Sequence, residues 1–81
     1  MTAVRAGNAR TLIITWKNGV ESTVDVRKYI TRYAYFAPLR HDDAAFKNVR
    51  LGDWGWCAHW SDMMEIPSDL LWQYALEQGA L

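Results

Sequence analysis

Residues 46–60 read FKNVRLGDWGWCAHW, in which two short extended segments flank a hinge at residues 51–53. Apolar residues occupy alternate positions on both sides of the hinge, and the second segment carries Trp54, Trp56 and Trp60. A period of two places alternate side chains on one face of a strand. The pattern predicts a tryptophan-lined core strand, because each covered indole buries on the order of 200 Å².

The same tryptophan face has a second interpretation as a binding surface. Exposed indoles stack on ligands and nucleobases, so a row of them would form a recognition platform. Apolar residues elsewhere in the chain need a common partner, which favours the core interpretation, and we expect Trp54 beside the hinge to be the member that stays exposed. The candidate interaction surface consists of Trp54, Trp56, Trp60 and Tyr35.

Composition limits the class of protein. The chain has 81 residues, of which 51% are hydrophobic and 14% aromatic, so it is too apolar to be intrinsically disordered. A chain of this length forms one domain with a modest core. We expect residues 1–10, which show no periodicity, to be a flexible N-terminal arm, and residues 11–78 to be a single α+β domain. Small size and many aromatic residues also allow a homodimer.

The location follows from what the sequence lacks. No apolar run approaches the roughly 18 residues that span a bilayer, and residues 1–10 lack the apolar segment of a secretory signal. The single cysteine, Cys57, cannot form an internal disulfide and fits a reducing compartment. We therefore expect a cytoplasmic protein with no membrane partner.

Charge is balanced overall and uneven along the chain. Nine cations and four acids give the first fifty residues a charge of +5, while five acids and no cation give the remainder −5. Nucleic acids and anionic membranes draw much of their affinity from excess positive charge. Zero net charge therefore weighs against either as the main partner.

The first half predicts a hairpin followed by a helix. TLIITW at residues 11–16 is β-branched and aromatic, and Ile13 on its otherwise polar face suggests a central strand. Asn18-Gly19 favours a tight turn before a second strand at residues 20–24. Asp25 is the predicted N-cap of a short helix with the apolar stripe Val26, Tyr29, Ile30 and Tyr33.

The second half predicts a meander and a closing helix. Asp42 and Asp43 fit the cap of one helical turn before Phe46. A turn at residues 61–62 precedes a short extended piece at residues 64–66, and Ser68 is the predicted N-cap of a helix that ends near Gly79. The fold class is therefore α+β: a small antiparallel sheet of two hairpin-like units, a short helix after the first hairpin, and a C-terminal helix.

The order of these features is more specific than any one of them. The order begins with a strand ending in an aromatic residue, then an Asn-Gly hairpin and a Val-Asp-Val helix start at residues 24–26. Four residues at characteristic spacings come next: Phe36, Leu39, Asp43 and Phe46. The second half follows with a strand, a turn, a strand that ends at Trp60, a short segment of acidic and apolar residues, and a helix that contains leucine. This order, from about residue 12 to residue 74, resembles the bacterial family called domain of unknown function 2442.

The resemblance implies a small α+β protein and offers no catalytic residue to assign. Many family members are encoded beside a second small protein, which implies a paired-regulator or toxin–antitoxin role with that protein as partner. Two features depart from the family pattern: Ser61-Asp62-Met63 stands where Pro or Asn-Gly is usual, and the Trp54-Gly55-Trp56 density is unusual.

Cys57 and His59 are candidate metal ligands, since positions i and i+2 share one face of a strand. A structural zinc site needs four ligands, and the only other histidine, His41, lies with Asp42 and Asp43 in a segment that would have to fold over the strand to complete a Cys-His-His-Asp site. We expect a packed Cys57 and an ordinary His59, and keep a weak metal site at Cys57 and His59 as an alternative. No cofactor is expected.

Six cations are the candidate nucleic-acid contacts: Arg27, Lys28, Arg32, Arg40, Lys47 and Arg50. Most such clusters are only solvated faces. The sequence contains no phosphate-binding loop, catalytic triad pattern or dinucleotide fingerprint, so we expect no enzyme. The leading hypothesis is a non-enzymatic protein-interaction module or antitoxin-like partner of a neighbouring small protein; a nucleic-acid-binding regulator is the alternative.

Overall fold

The computed structural model describes residues 1–81, and its elements confirm the α+β class. Along the chain, a three-stranded antiparallel sheet is followed by three short helices, a second three-stranded antiparallel sheet and a C-terminal helix. Single 3₁₀ turns occur at residues 34–36 and 53–55. The strands and helices are β1 (Ala3–Ala6), β2 (Thr11–Thr15), β3 (Glu21–Asp25), α1 (Arg27–Arg32), α2 (Ala37–His41), α3 (Asp43–Lys47), β4 (Arg50–Leu51), β5 (Cys57–Ser61), β6 (Met64–Pro67) and α4 (Ser68–Glu77).

The first sheet is built on β2, which lies between β1 and β3 as its apolar sequence predicts. Gly19 adopts φ 84°, which a glycine reaches without steric cost, and the Trp16 amide donates to the Val20 carbonyl at 2.9 Å to close the hairpin. Leu12 faces Val24 in the register, and both are fully buried. The hairpin prediction is confirmed.

The N-terminal segment is not the free arm that its lack of periodicity suggested. Residues 3–6 form β1, which pairs antiparallel with β2 from Ala3 opposite Thr15 to Ala6 opposite Leu12. β1 is an edge strand with one half-buried face of small residues, so no strong apolar alternation marks it. The chain then reverses through Ala9 and Arg10, both with positive φ.

The second sheet has the order β4-β5-β6 and departs from the predicted tryptophan strand. β5 begins at Cys57, so Trp54 and Trp56 precede the strand. Trp54 has φ 61° inside the 3₁₀ turn, which interrupts the alternating pattern. The prediction that three tryptophans share a core face is wrong: only Trp60 is buried.

Trp60 lies at the centre of the core between the two sheets and the short helices. Its ring centroid is 5.6 Å from that of Phe46 and 6.3 Å from that of Phe36. Its indole Nε1 donates to the Phe46 carbonyl at 2.9 Å, so the one polar atom of this buried side chain has a hydrogen-bond partner. The segment from Phe36 to Phe46 is thereby held onto β5.

The helix ends differ in part from the predicted caps. The Asp42 side chain accepts from the Ala45 amide at 3.1 Å and caps α3, as predicted. Val26 holds the N-cap position of α1, one residue after the predicted Asp25, yet the Asp25 carboxylate still accepts from the Arg27 amide at 2.9 Å. Ser68 is the first residue of α4 and makes no capping bond, because Pro67 takes the N-cap position.

Gln78, just after α4, ties the C-terminus to the first sheet. Its carboxamide accepts from the Asp25 amide at 2.8 Å and donates to the Asp25 carbonyl at 2.9 Å. These two bonds pair the side chain with the end of β3 as a neighbouring strand would. The helix therefore packs beside β3 in a fixed position.

No helix in the fold has the length and apolar character needed to cross a bilayer.

Candidate functional site

Residues 52–56 form a tight turn, called the tryptophan loop below, that carries two large side chains into solvent. The side chain of Trp54 is 87% exposed and that of Trp56 is 72% exposed. Trp54 also holds a left-handed φ, which costs a residue with a Cβ about 1–2 kcal/mol. Exposure and backbone strain together mark a residue that contributes little to folding.

Backbone bonds fix the loop from both ends. The Gly52 amide donates to the Cys57 carbonyl at 2.8 Å, and the Gly55 amide donates back to Gly52 at 3.0 Å. Gly55 packs against Met1, whose carbonyl oxygen would collide with a Cβ at that position. The Ser68 amide donates to the Trp56 carbonyl at 2.7 Å, which anchors the loop to α4. The two indoles are therefore presented on a rigid backbone.

A cleft beside the loop carries more negative than positive charge. Its charged lining comprises one arginine and three acids, and Trp56 forms one wall. Leu51 and Met63, both exposed, add apolar surface on the strand and turn of the same sheet. The charged residues of the cleft are Arg50, Asp53, Asp62 and Glu65.

Cys57, His59 and Glu65 meet on one face of the β5–β6 hairpin. The Cys57 thiol donates to Glu65 Oε2 at 2.9 Å, and His59 Nδ1 lies 3.5 Å from the same oxygen. Burial, together with the hydrogen bond to Glu65, raises the pKa of the Cys57 thiol to about 11. The bond from Cys57 and then that to His59 lower the pKa of Glu65. A thiol held protonated at neutral pH is a poor nucleophile.

The sequence placed two of these three residues correctly and missed the third. Cys57 and His59 share a face of β5, as predicted, but the proposed partners His41 and Asp42 lie elsewhere. His41 ends α2, and Asp42 caps α3. Glu65 reaches the pair because the β5–β6 register sets it opposite His59. The short extended piece predicted after the turn at residues 61–62 was the available signal.

Arg40, one of the six predicted nucleic-acid contacts, has a structural role in the fold. Its Nε donates to the Ile30 carbonyl at 2.8 Å, and its guanidinium also donates to the Thr31 and Tyr33 carbonyls at 3.2 and 3.0 Å. The Ile30 and Thr31 carbonyls lie in the last turn of α1, which leaves them without helical partners, whereas the Tyr33 carbonyl also accepts from the Phe36 amide at 3.1 Å. Arg40 therefore fastens the C-terminus of α1 to α2.

The other five predicted contacts divide into a paired and an unpaired group. Arg27 forms a 2.6 Å ion pair with Asp25, and this hydrogen-bonded guanidinium lowers the pKa of the Asp25 carboxyl. The remaining four are exposed and form no ion pair, although Arg32 lies over the Tyr33 ring. These free cations are Lys28, Arg32, Lys47 and Arg50.

The predicted aromatic surface is also divided by the fold. Trp60 is buried apart from 8% of its surface and lies apart from the exposed indoles, because β5 turns it towards Phe46. Tyr35 is 44% exposed, yet it stacks on Tyr33 with centroids 5.4 Å apart and belongs to the tyrosines beside α1. Of the four predicted surface residues, only Trp54 and Trp56 lie on the tryptophan loop.

The family model described as "Protein of unknown function (DUF2442)" matches residues 1–76. The chain belongs to the DUF2442 family. A solved crystal structure, described as "Putative DNA Binding Protein NE0471 from Nitrosomonas europaea ATCC 19718", is similar to this DUF2442 chain with a TM-score of 0.85 and 31% identity. The match covers 96% of this chain and 49% of that one, so the chain spans about half the length of its relative. No curated protein matches the chain.

Replacing Arg40 tests its structural role. Arg40→Met removes the side-chain donor to the Ile30 and Thr31 carbonyls and one of the two donors to the Tyr33 carbonyl, so we expect a loss of about 1–3 kcal/mol in the free energy of unfolding. Urea denaturation measures this loss. Lys28→Met removes an exposed cation without an ion pair and should change stability by less than about 0.5 kcal/mol. Equal effects of the two substitutions would contradict the assignment.

Two substitutions at Trp54 separate backbone strain from side-chain loss. Trp54→Gly removes the Cβ that makes φ 61° unfavourable, whereas Trp54→Ala keeps it. The greater entropy of glycine in the unfolded chain offsets about 0.5–1 kcal/mol of the relieved strain. We therefore expect the glycine variant to exceed the alanine variant in stability by about 0.5–1 kcal/mol. Thermal and urea unfolding compare them. An alanine variant as stable as the glycine variant would show that the turn is not strained.

Proposed function

We propose that this chain is a non-enzymatic protein-interaction module whose tryptophan loop docks a second small protein. The observation that carries the proposal is the pair of exposed indoles, Trp54 and Trp56, on a backbone held at both ends. Natural surfaces rarely expose two large aromatic residues on one turn without using them. The strain at Trp54 supports the same proposal, since a glycine would satisfy the backbone more easily.

The exposed area suits the centre of a protein interface. Two indoles exposed to this extent offer roughly 300 Å² of apolar surface, a substantial share of the ~800 Å² that each partner contributes to a standard interface. Tryptophan is enriched among the residues whose truncation weakens binding most. A rigid loop also loses little conformational entropy on binding.

The surrounding charges specify the chemistry of the partner. Asp53, Asp62 and Glu65 outnumber Arg50 in the adjoining cleft. A partner surface with an apolar pocket bordered by lysine and arginine residues complements this arrangement, whereas a phosphate backbone would be repelled. A protein partner therefore fits the tryptophan loop better than a nucleic acid does.

About half of the relative's chain lies outside the region that matches this one. The resemblance to the family points to the product of an adjacent gene, in a paired-regulator or antitoxin-like arrangement. A free thiol at Cys57 fits a reducing compartment, so the cytoplasm is the proposed location.

Binding to the product of the adjacent gene tests the proposal. We expect purified wild-type protein to bind that product, with quenching or a shift of tryptophan fluorescence, and Trp54→Gly to weaken binding by at least about 2 kcal/mol without loss of stability. Isothermal titration calorimetry measures affinity, and circular dichroism reports folding.

Leu76→Ala is the matched control, since Leu76 is 58% exposed on α4 and lies outside the loop. It should bind as the wild type does. Equal binding by Trp54→Gly and the wild type would contradict docking through the loop. A concentration-dependent dimer by analytical ultracentrifugation, abolished by Trp54→Gly, would show instead that a second copy covers the indoles.

Nucleic-acid binding is the second candidate, favoured by the four free cations and by the description of the related structure as a "Putative DNA Binding Protein". Lys28 and Arg32 lie one helical turn apart on α1, and Lys47 and Arg50 border one shallow cleft. Counter-ion release gives log affinity a slope of about −0.9 per phosphate contact against log salt, so four contacts predict roughly −3.6.

Fluorescence anisotropy with duplex and single-stranded oligonucleotides measures this slope. Replacing Lys28 and Arg32 together by glutamine should reduce it by about 2, whereas Arg27→Gln should matter less because Arg27 already pairs with Asp25. No binding at low salt would reject the second candidate and leave the first untouched.

A further inference from the structure

The β5–β6 hairpin brings a thiol, an imidazole and a carboxylate to one point. Glu65 lies directly opposite His59 in the register, and Cys57 is two residues along β5 on the same face. Opposed and diagonal side chains on one face of a hairpin lie within reach of one another. The ligand atoms of all three residues fall within 4.8 Å of one another.

These separations are close to those of a zinc site. Zinc binds sulfur at about 2.3 Å and nitrogen or oxygen at about 2.1 Å, so neighbouring ligands of a tetrahedral ion lie about 3.3–3.7 Å apart. Cys57 Sγ is 2.9 Å and His59 Nδ1 is 3.5 Å from Glu65 Oε2. Since all three ligand atoms lie within 4.8 Å of one another, side-chain movements of about an ångström would arrange them around an ion.

We propose that Cys57, His59 and Glu65 bind a zinc ion. The thiol proton now lies between Cys57 Sγ and Glu65 Oε2, where the metal would bind both atoms. Binding releases this proton, so the thiolate, a neutral imidazole and a carboxylate become the ligands. A soft thiolate with imidazole and carboxylate selects zinc over magnesium or calcium, which prefer oxygen ligands alone.

The surroundings suit three protein ligands and one open position. Cys57 and His59 are half-buried and Glu65 is exposed, so the fourth position faces the cleft bordered by Trp56 and Asp53 and is free for water. Gly52 lies against the sulfur, and a Cβ there would collide with Cys57 Sγ. A glycine at this position therefore leaves the space that the sulfur occupies.

Zinc and cobalt titrations of the untagged protein test the site. We expect one zinc ion per chain, measured by competition with a chromogenic chelator, and a higher melting temperature with zinc than without it. Cobalt should give d–d bands of a tetrahedral ion together with a thiolate-to-cobalt charge-transfer band. Cys57→Ser should abolish that band, and His59→Gln or Glu65→Gln should weaken zinc binding more than about tenfold.

Two control variants make the outcome decisive. His41→Gln removes the other histidine, which lies outside the cluster, and should bind zinc as the wild type does. Trp54→Gly should also keep zinc binding, which separates this site from the docking function of the loop. Absence of stoichiometric binding, or an equal loss in His41→Gln and His59→Gln, would show that the cluster is only a hydrogen-bonded triad on the hairpin.

Discussion

Gly55 lies against the backbone of Met1 at φ 72°, and a side chain there would collide with the Met1 carbonyl oxygen. This close approach docks the N-terminus against the second sheet, so β1 lies beside β4 and the two sheets enclose one core. It also ends the extended backbone before β5 begins. The indoles of Trp54 and Trp56, on either side of Gly55, are exposed to solvent, and the tryptophan loop that carries them packs against the N-terminus.

Much of the fold was predictable because local chemistry determined it. Asn18-Gly19 specified a hairpin, and the leucine stripe before Gly79 specified α4. β1 was missed because an edge strand of small residues carries no strong pattern. The tryptophan strand was mis-assigned because residues 54–60 have the period of a strand, while the positive φ at Trp54 leaves no local mark in the sequence and Gly55 packs against Met1, more than fifty positions away.

In the candidate sites, as in the fold, the sequence predicts features that depend on neighbouring residues and misses those that depend on contacts between distant ones. Alternation along β5 was enough to place Cys57 and His59 on one face, but Glu65 joined them through the register of a hairpin whose bulge could not be foreseen. Arg40 looked like part of a basic surface because sequence alone cannot distinguish a cation facing solvent from one facing helix carbonyls. Its three backbone bonds exist only once α1 and α2 have packed together.

The two hydrogen bonds from Gln78 to the backbone of Asp25 have a consequence beyond holding α4 in place. The outer margin of a sheet is a template on which another chain can add, which is how small β-rich proteins aggregate. A carboxamide offers the same donor and acceptor as a peptide group, so here it occupies the place of an incoming strand. One side chain thus stops the growth of the first sheet at the end of β3.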